Sequence, residues 1–96
     1  MTVRFLSAAE KEMITAARYY ESQSFNLGGR FLSEVENAAG AIAVHPRAGM
    51  PLGYNIRRRL LRSFPFALLY AESSEEILII AVMDLRRDPD YWKGRL

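Results

Sequence analysis

The chain has 96 residues, half of them hydrophobic, and a formal net charge of +2. This length predicts a single domain over residues 1–96 and leaves too little chain for a second core. The absence of cysteine excludes disulfides and thiolate metal sites, and no apolar run approaches the roughly 20 residues that cross a bilayer. These features predict a cytoplasmic protein without a membrane partner.

The N-terminal third predicts a strand followed by a helix. Apolar and polar side chains alternate over residues 3–6, which is typical of a short strand. The segment Ser7-Ala8-Ala9-Glu10 matches a capping box, in which the serine hydroxyl and the glutamate carboxylate each accept a hydrogen bond from a backbone N–H. A first helix is therefore predicted to begin at Ala8 and to end between residues 21 and 24.

A second helix is predicted over residues 26–44 by apolar side chains at spacings of three and four: Leu27, Phe31, Val35, Ala38 and Ile42. Pro46 ends this helix because proline disfavours a helical conformation in the residue before it. The short polar link between the two helices indicates an antiparallel hairpin.

The C-terminal half predicts strands. Residues 47–53 contain a proline and two glycines and are predicted to form a loop. Three strands are expected over residues 55–62, 66–72 and 76–83, with a tight turn between the last two. Residues 77–82 are all apolar, which indicates a central strand covered on both faces. The predicted fold class is α+β, with an N-terminal strand, a helical hairpin on one face of the sheet and a three-stranded antiparallel meander.

The basic side chains are unevenly distributed. Residues 1–46 carry four basic against five acidic side chains, residues 47–71 carry five against none, and residues 72–96 carry four against six. Such a regional patch suits an acidic protein segment or a nucleic acid. The patch is small beside the dense basic stripe of dedicated nucleic-acid binders, so direct nucleic-acid binding is disfavoured.

The arginine triplet divides between two faces of its strand. Successive side chains of a strand alternate, so Arg57 and Arg59 share one face while Arg58 and Arg62 share the other. One interpretation is an edge strand whose charges prevent aggregation. The other is contact with a partner.

A second arginine pair, Arg86 and Arg87, precedes Tyr91 and Trp92. Trp92 is expected to pin the C-terminal segment to the core, whereas Tyr91 is open to a polar role. Two carboxylates, at residues 84 and 88, flank the arginines and are expected to pair with them. The only histidine, His45, has no partner at a catalytic spacing, and no metal, cofactor or nucleophile motif is present.

Three segments together resemble the RelE/ParE superfamily of type II toxin-antitoxin toxins, especially its ParE branch of plasmid stabilisation proteins. They are ARYYESQSFNLGGRF in the helical hairpin, RRRLLRSFPFALLY over two strands, and IIAVMDLRRDPDYW at the last strand. Their order and approximate spacing follow the family over nearly the whole chain. The family fold is a strand, a helical hairpin and a three-stranded antiparallel meander.

The resemblance implies a toxin that forms a complex with a cognate antitoxin, whose C-terminal segment wraps around it. ParE-like members are expected to poison DNA gyrase without catalysis, whereas RelE-like members cut messenger RNA in the ribosome. Cleavage here would depend on Arg59, Arg62, Arg86 and Tyr91, because the chain has only two lysines. Arginine is a poor proton donor or acceptor near pH 7, so DNA gyrase is the favoured target.

One residue departs from the family pattern, since many members have histidine where this chain has Asp84. The change reverses the local charge and is expected to hold Arg86 or Arg87 in place. A relative that binds its antitoxin without being toxic is therefore a third interpretation. The predicted partner-binding residues are Arg57, Arg58, Arg59, Arg62, Arg86, Arg87, Tyr91 and Trp92.

Overall fold

Two helices pack on one face of a five-stranded sheet, which confirms the α+β class. The computed structural model describes every residue from 1 to 96. Its elements in chain order are β1 (Thr2–Phe5), α1 (Ser7–Gln23), α2 (Leu27–Val44), β2 (Met50–Gly53), β3 (Ile56–Leu60), β4 (Phe66–Glu72) and β5 (Glu76–Asp84). Short 3-10 turns occupy Pro46–Ala48 and Tyr91–Arg95. Neither helix has the length and hydrophobicity needed to cross a membrane.

The strands lie in the order β1-β5-β4-β3-β2, with β2 to β5 forming an antiparallel meander and β1 parallel to β5. β5 therefore lies between β1 and β4, and its apolar residues are buried on both faces as its unbroken hydrophobic run predicts. The pairing of β1 with β5 stops where Phe5 lies opposite Ile79. Beyond that point, one side of β5 has no strand neighbour.

The predicted loop over residues 47–53 contains the additional strand β2, which pairs with β3. The connecting residues Tyr54 and Asn55 both have positive φ angles, 58° and 59°, as in the tight turns that suit the twist of a hairpin. Because β2 covers its outer side, β3 is an internal strand. The interpretation of the arginine strand as a charged edge strand is therefore wrong.

The N terminus of α1 differs from the predicted capping box. Leu6 donates its N–H to the carbonyl of Ile79 at 2.9 Å, and it occupies the cap position without a side-chain hydrogen bond. Ser7 is consequently the first helical residue rather than the cap. The helix begins one residue earlier than predicted because β1 delivers the chain directly into it.

The sheet has an apolar cluster on each face. On the helical face, Phe31, Ile42, Leu68 and Ile77 are among the fully buried side chains, and Tyr20 packs its ring 4.7 Å from that of Phe64. The opposite face carries a smaller cluster of seven residues: Ile56, Ala67, Leu69, Ile80, Ala81, Met83 and Trp92. The last of these is 2% exposed and donates its indole N–H to the carbonyl of Pro89. The prediction that this tryptophan pins the C-terminal segment is confirmed.

Candidate partner-binding site

The two arginine runs lie apart in the sheet, because β4 separates β3 from the loop that follows β5. Arg57 and Arg59 lie opposite Tyr70 and Leu68, which belong to the cluster on the helical face. Arg58 lies opposite Leu69, which belongs to the cluster on the other face. The predicted division of the triplet is therefore confirmed.

The arginines of β3 are held partly by the chain itself. Arg57 donates from Nη1 to the carbonyls of Arg47 and Gly49, at 3.2 and 2.8 Å, and so anchors the segment before β2. Arg58 places Nη2 3.1 Å from the sulfur of Met50, while its buried Nε has no partner. None of the arginines from 57 to 62 forms a salt bridge. The charges of the three arginines of β3 are therefore not paired with a carboxylate in a salt bridge.

Glu12 of α1 reaches the side of β5 that lacks a strand neighbour. Its Oε1 accepts hydrogen bonds from Val82 N at 3.1 Å and Arg95 Nη1 at 2.9 Å, and its Oε2 accepts from Arg95 Nη2 at 3.0 Å. Arg95 also donates to the carbonyl of Ile80 at 3.0 Å. The two side chains thus satisfy backbone groups of β5 that a neighbouring strand would otherwise pair with.

Tyr91 and Arg87 complete this network. The hydroxyl of Tyr91 donates to Oε2 of Glu12 at 2.6 Å, and burial together with this hydrogen bond raises the pKa of Tyr91 well above its usual range. The guanidinium of Arg87 stacks 3.8 Å from the centre of the Tyr91 ring and lies 3.4 Å from the same carboxylate oxygen. Tyr91 is therefore a neutral hydrogen-bond donor and a stacking surface, not a base.

Asp84 holds Arg86 in a fixed orientation. Arg86 donates from Nε to Oδ1 at 2.9 Å and from Nη2 to Oδ2 at 2.8 Å, while its backbone N–H also donates to Oδ1. The side-chain hydrogen bond from Arg86 lowers the pKa of Asp84 below its usual value, outweighing the effect of burial. The predicted pairing is confirmed here but wrong for Asp88, which forms no salt bridge and accepts the N–H of Asp90 instead.

An open groove of about 530 Å³ lies between α1 and the end of β5. Buried apolar side chains form its floor: Ala16, Phe66 and Val82. Exposed side chains form its rim, with Tyr19 on one side and three cations around the mouth: Lys11, Arg86 and Arg87. The groove therefore combines an apolar interior with a cationic entrance.

A family model described as the ParE toxin of the type II toxin-antitoxin system parDE matches residues 3–89. The chain belongs to the ParE toxin family. A solved structure, "Chromosomal ParDE TA system from P. aeruginosa", has a similar fold, with a TM-score of 0.67 and 16% sequence identity over 90% of this chain and 97% of that chain. A comparison with curated proteins found no match.

In this ParE-family chain, the four residues predicted for RelE-like cleavage lie in β3, in the turn after it and in the segment after β5. Arg59 lies in β3 and Arg62 in the turn after it, where its backbone N–H donates to Glu34. Arg86 is bound to the carboxylate of Asp84, and the hydroxyl of Tyr91 donates a hydrogen bond to the carboxylate of Glu12. No group of three or more histidine and carboxylate side chains could hold a metal ion.

Sequence reasoning missed Glu12 and the groove beside it in this ParE-family chain. Glu12 lies three residues after Ala9 and four before Ala16, which are both buried. This spacing places it at the border of the buried stripe and was the available signal. Trp92 was included among the partner-binding residues, but its burial leaves it no free surface for a partner.

Proposed function

We propose that this member of the ParE toxin family binds and poisons DNA gyrase without catalysing a reaction, and that a cognate antitoxin neutralises it. The observation that carries the proposal is the family match over residues 3–89. The residues matched by the family model span the fold from β1 to the loop after β5. The partner surface is formed by the partly exposed arginines of β3 and the exposed arginines of the loop that follows β5.

The chemistry of the arginine-bearing surface supports a binding function over RNA cleavage. Transfer of a proton from a ribose hydroxyl needs a group that titrates near neutral pH. His45 lies exposed at the end of α2, and the raised pKa of Tyr91 keeps its hydroxyl protonated. The remaining polar groups near Tyr91 are the arginines and the carboxylate of Glu12, which already accepts several hydrogen bonds.

An antitoxin partner is supported by the unpaired charge of β3. None of the arginines from 57 to 62 forms a salt bridge within the chain, and guanidinium groups bind carboxylates in a bidentate geometry. An acidic or amphipathic segment of an antitoxin would supply those carboxylates. The complex is therefore expected to be heteromeric.

A supercoiling assay tests the gyrase proposal. Purified toxin is added to DNA gyrase with relaxed plasmid, and we expect loss of supercoiled product together with linear DNA after protein denaturation. Adding the antitoxin encoded by the neighbouring reading frame should restore supercoiling. Unchanged supercoiling and no trapped cleavage complex at a large excess of toxin would contradict the proposal.

The two other interpretations have separate readouts. Primer extension on translated messages would reveal cuts at codon positions if the chain were a ribosome-dependent ribonuclease, and Arg86→Ala or Tyr91→Phe should abolish them. Expression without the antitoxin distinguishes the non-toxic binding protein, because normal growth and plating would then be observed. Growth arrest without such cuts is the result that the gyrase proposal predicts.

A further inference from the structure

We infer that the groove between α1 and β5 is the place where the antitoxin anchors one large apolar side chain, with an adjacent carboxylate bound by the cations at its mouth. This inference rests on the antitoxin partner proposed above and assigns that partner to a particular surface. It adds α1 to the interface, whereas the predicted partner residues lie on β3 and after β5.

The interior of the groove suits an aliphatic or aromatic side chain. Its buried floor, formed by Ala16, Phe66 and Val82, offers no unpaired polar group, because the N–H of Val82 already donates to Glu12. The rings of Tyr19 and Tyr20 lie 5.4 Å apart in an edge-to-face arrangement along one wall. An apolar side chain placed there would lose its contact with water and gain contact with aromatic faces.

Two of the three cations at the mouth, Arg86 and Arg87, are already oriented before a partner arrives. Asp84 fixes Arg86 through Nε and Nη2, which leaves Nη1 free for another acceptor. The ring of Tyr91 supports Arg87 by stacking, and Lys11 forms no salt bridge at all. Binding a carboxylate here would therefore order few additional side chains, which favours affinity.

The charge arrangement favours an acidic peptide over a nucleic acid. Backbone binding of DNA or RNA relies on a continuous track of cations spaced along successive phosphates. Here the three cations cluster at one mouth, and the lining also contains the carboxylates of Glu12 and Asp84. One carboxylate can reach this mouth, whereas a phosphate chain would have to pass the two anions.

Fluorescence anisotropy with short synthetic peptides tests the inference on the full chain. The probes are a labelled peptide of glutamate and leucine, its counterpart with glutamine in place of glutamate, and labelled single-stranded DNA and RNA of similar length. We expect the acidic peptide to bind at least about tenfold more tightly than the glutamine peptide. Both oligonucleotides should bind more weakly than the acidic peptide.

Matched variants locate the binding site. Thr15→Trp should fill the groove from its exposed rim, and Lys11→Glu should reverse one charge at the mouth, so each should weaken binding of the acidic peptide about tenfold. Arg18→Glu is the control, because this substitution makes the same charge change at an exposed residue of α1 outside the groove. Circular dichroism should show that all three variants are folded, and the fluorescence of Trp92, the only tryptophan of the unsubstituted chain, should show the same for Lys11→Glu and Arg18→Glu.

The outcomes separate this inference from the proposed function. Equal binding of the glutamine peptide, tighter binding of an oligonucleotide, or unchanged binding by Thr15→Trp and Lys11→Glu would each overturn the groove as the anchor. If only Arg59→Glu lost peptide binding, the antitoxin would be assigned to β3 instead of the groove, and the proposal of an antitoxin partner would stand. Because the assay contains no gyrase, a failure of the gyrase proposal would not affect its result.

Discussion

Glu12 is a single side chain that connects four other residues. It accepts hydrogen bonds from Val82, Arg87, Tyr91 and Arg95, and its side chain is only 15% exposed. Removing a buried carboxylate leaves its donors without partners and costs more than the hydrogen bonds themselves contribute. The attachment of the C-terminal turn to β5 therefore depends on this residue.

We predict that Glu12→Ala lowers the free energy of unfolding by about 3 kcal/mol. Glu12→Gln should cost less, because the amide oxygen can still accept the N–H of Val82 while the charge facing Arg95 is lost. Urea unfolding monitored by the fluorescence of Trp92 measures both values. Equal losses in the two variants would contradict this expectation, because they would show that the acceptor retained by glutamine contributes nothing without the carboxylate charge.

Asp84 makes the free energy of unfolding depend on pH in the acid range. Its folded-state pKa is lowered by the hydrogen bond from Arg86, so its contribution is present above the unfolded pKa of about 4 and is lost as pH falls through the lower folded value. Asp84→Asn should therefore cost about 1 kcal/mol at pH 7 and progressively less in acid. Urea unfolding at a series of pH values checks this.

Glu75→Gln is the matched control for that series, because Glu75 is exposed and forms no salt bridge. Its unfolding free energy should follow that of the unsubstituted chain throughout. A pH-independent difference between the Asp84→Asn variant and the unsubstituted chain would contradict the pairing with Arg86.

At the scale of elements, the two helices meet closely at a glycine. A Cβ added at Gly28 would collide with the backbone carbonyl of Ala17, whereas one added at Gly40 would meet nothing within 4 Å. Gly28 lies in the first turn of α2, whereas Gly40 lies in its interior, where replacing glycine by alanine favours the helix. The close contact with α1 is therefore a property of Gly28, and helix propensity is the main effect at Gly40.

We predict that Gly40→Ala stabilises the chain by about 1 kcal/mol, because alanine is the better helix former. Gly28→Ala should destabilise it by about 2 kcal/mol, because the added Cβ forces the helices to move apart. Thermal unfolding measured by circular dichroism compares the two variants. An increased melting temperature in Gly28→Ala would show that α1 and α2 separate at little cost.

At the scale of the molecule, the sheet is covered on its second face by a short segment. The turn at Tyr91–Arg95 places Trp92 over the smaller cluster, while Arg95 and Glu12 occupy the free side of β5. Without this segment, an apolar face and an unpaired strand edge would both be exposed. Such edges promote pairing with other chains.

We predict that a chain ending at residue 90 forms dimers or larger species and unfolds at a lower urea concentration than the full chain. Size-exclusion chromatography with light scattering gives the mass, and circular dichroism follows unfolding. Trp92→Phe is the control, since it retains an aromatic side chain and the contacts of Arg95. A monomeric truncated chain with an unchanged midpoint would show that the segment protects neither the face nor the edge.

The local pattern of the sequence was sufficient to predict both helices, the strands β3 to β5 and the two faces of the arginine triplet. Each of these depends on the spacing of apolar side chains within one segment. The capping box failed because the hydrogen bond from Leu6 to β5 moved the helix start by one residue. The strand β2 escaped prediction because its partner β3, and not its own composition, makes it a strand.

The sequence by itself determined the fold class, the position of the arginines and the resemblance that the family match confirmed. Only the tertiary structure decided which arginines are neutralised, that β3 is internal, and that Glu12 closes the free side of β5. The physical reason is distance along the chain. Glu12 lies 70 positions before Val82 in the sequence, and its other partners are farther still. Such contacts form only when the sheet and the helices pack together.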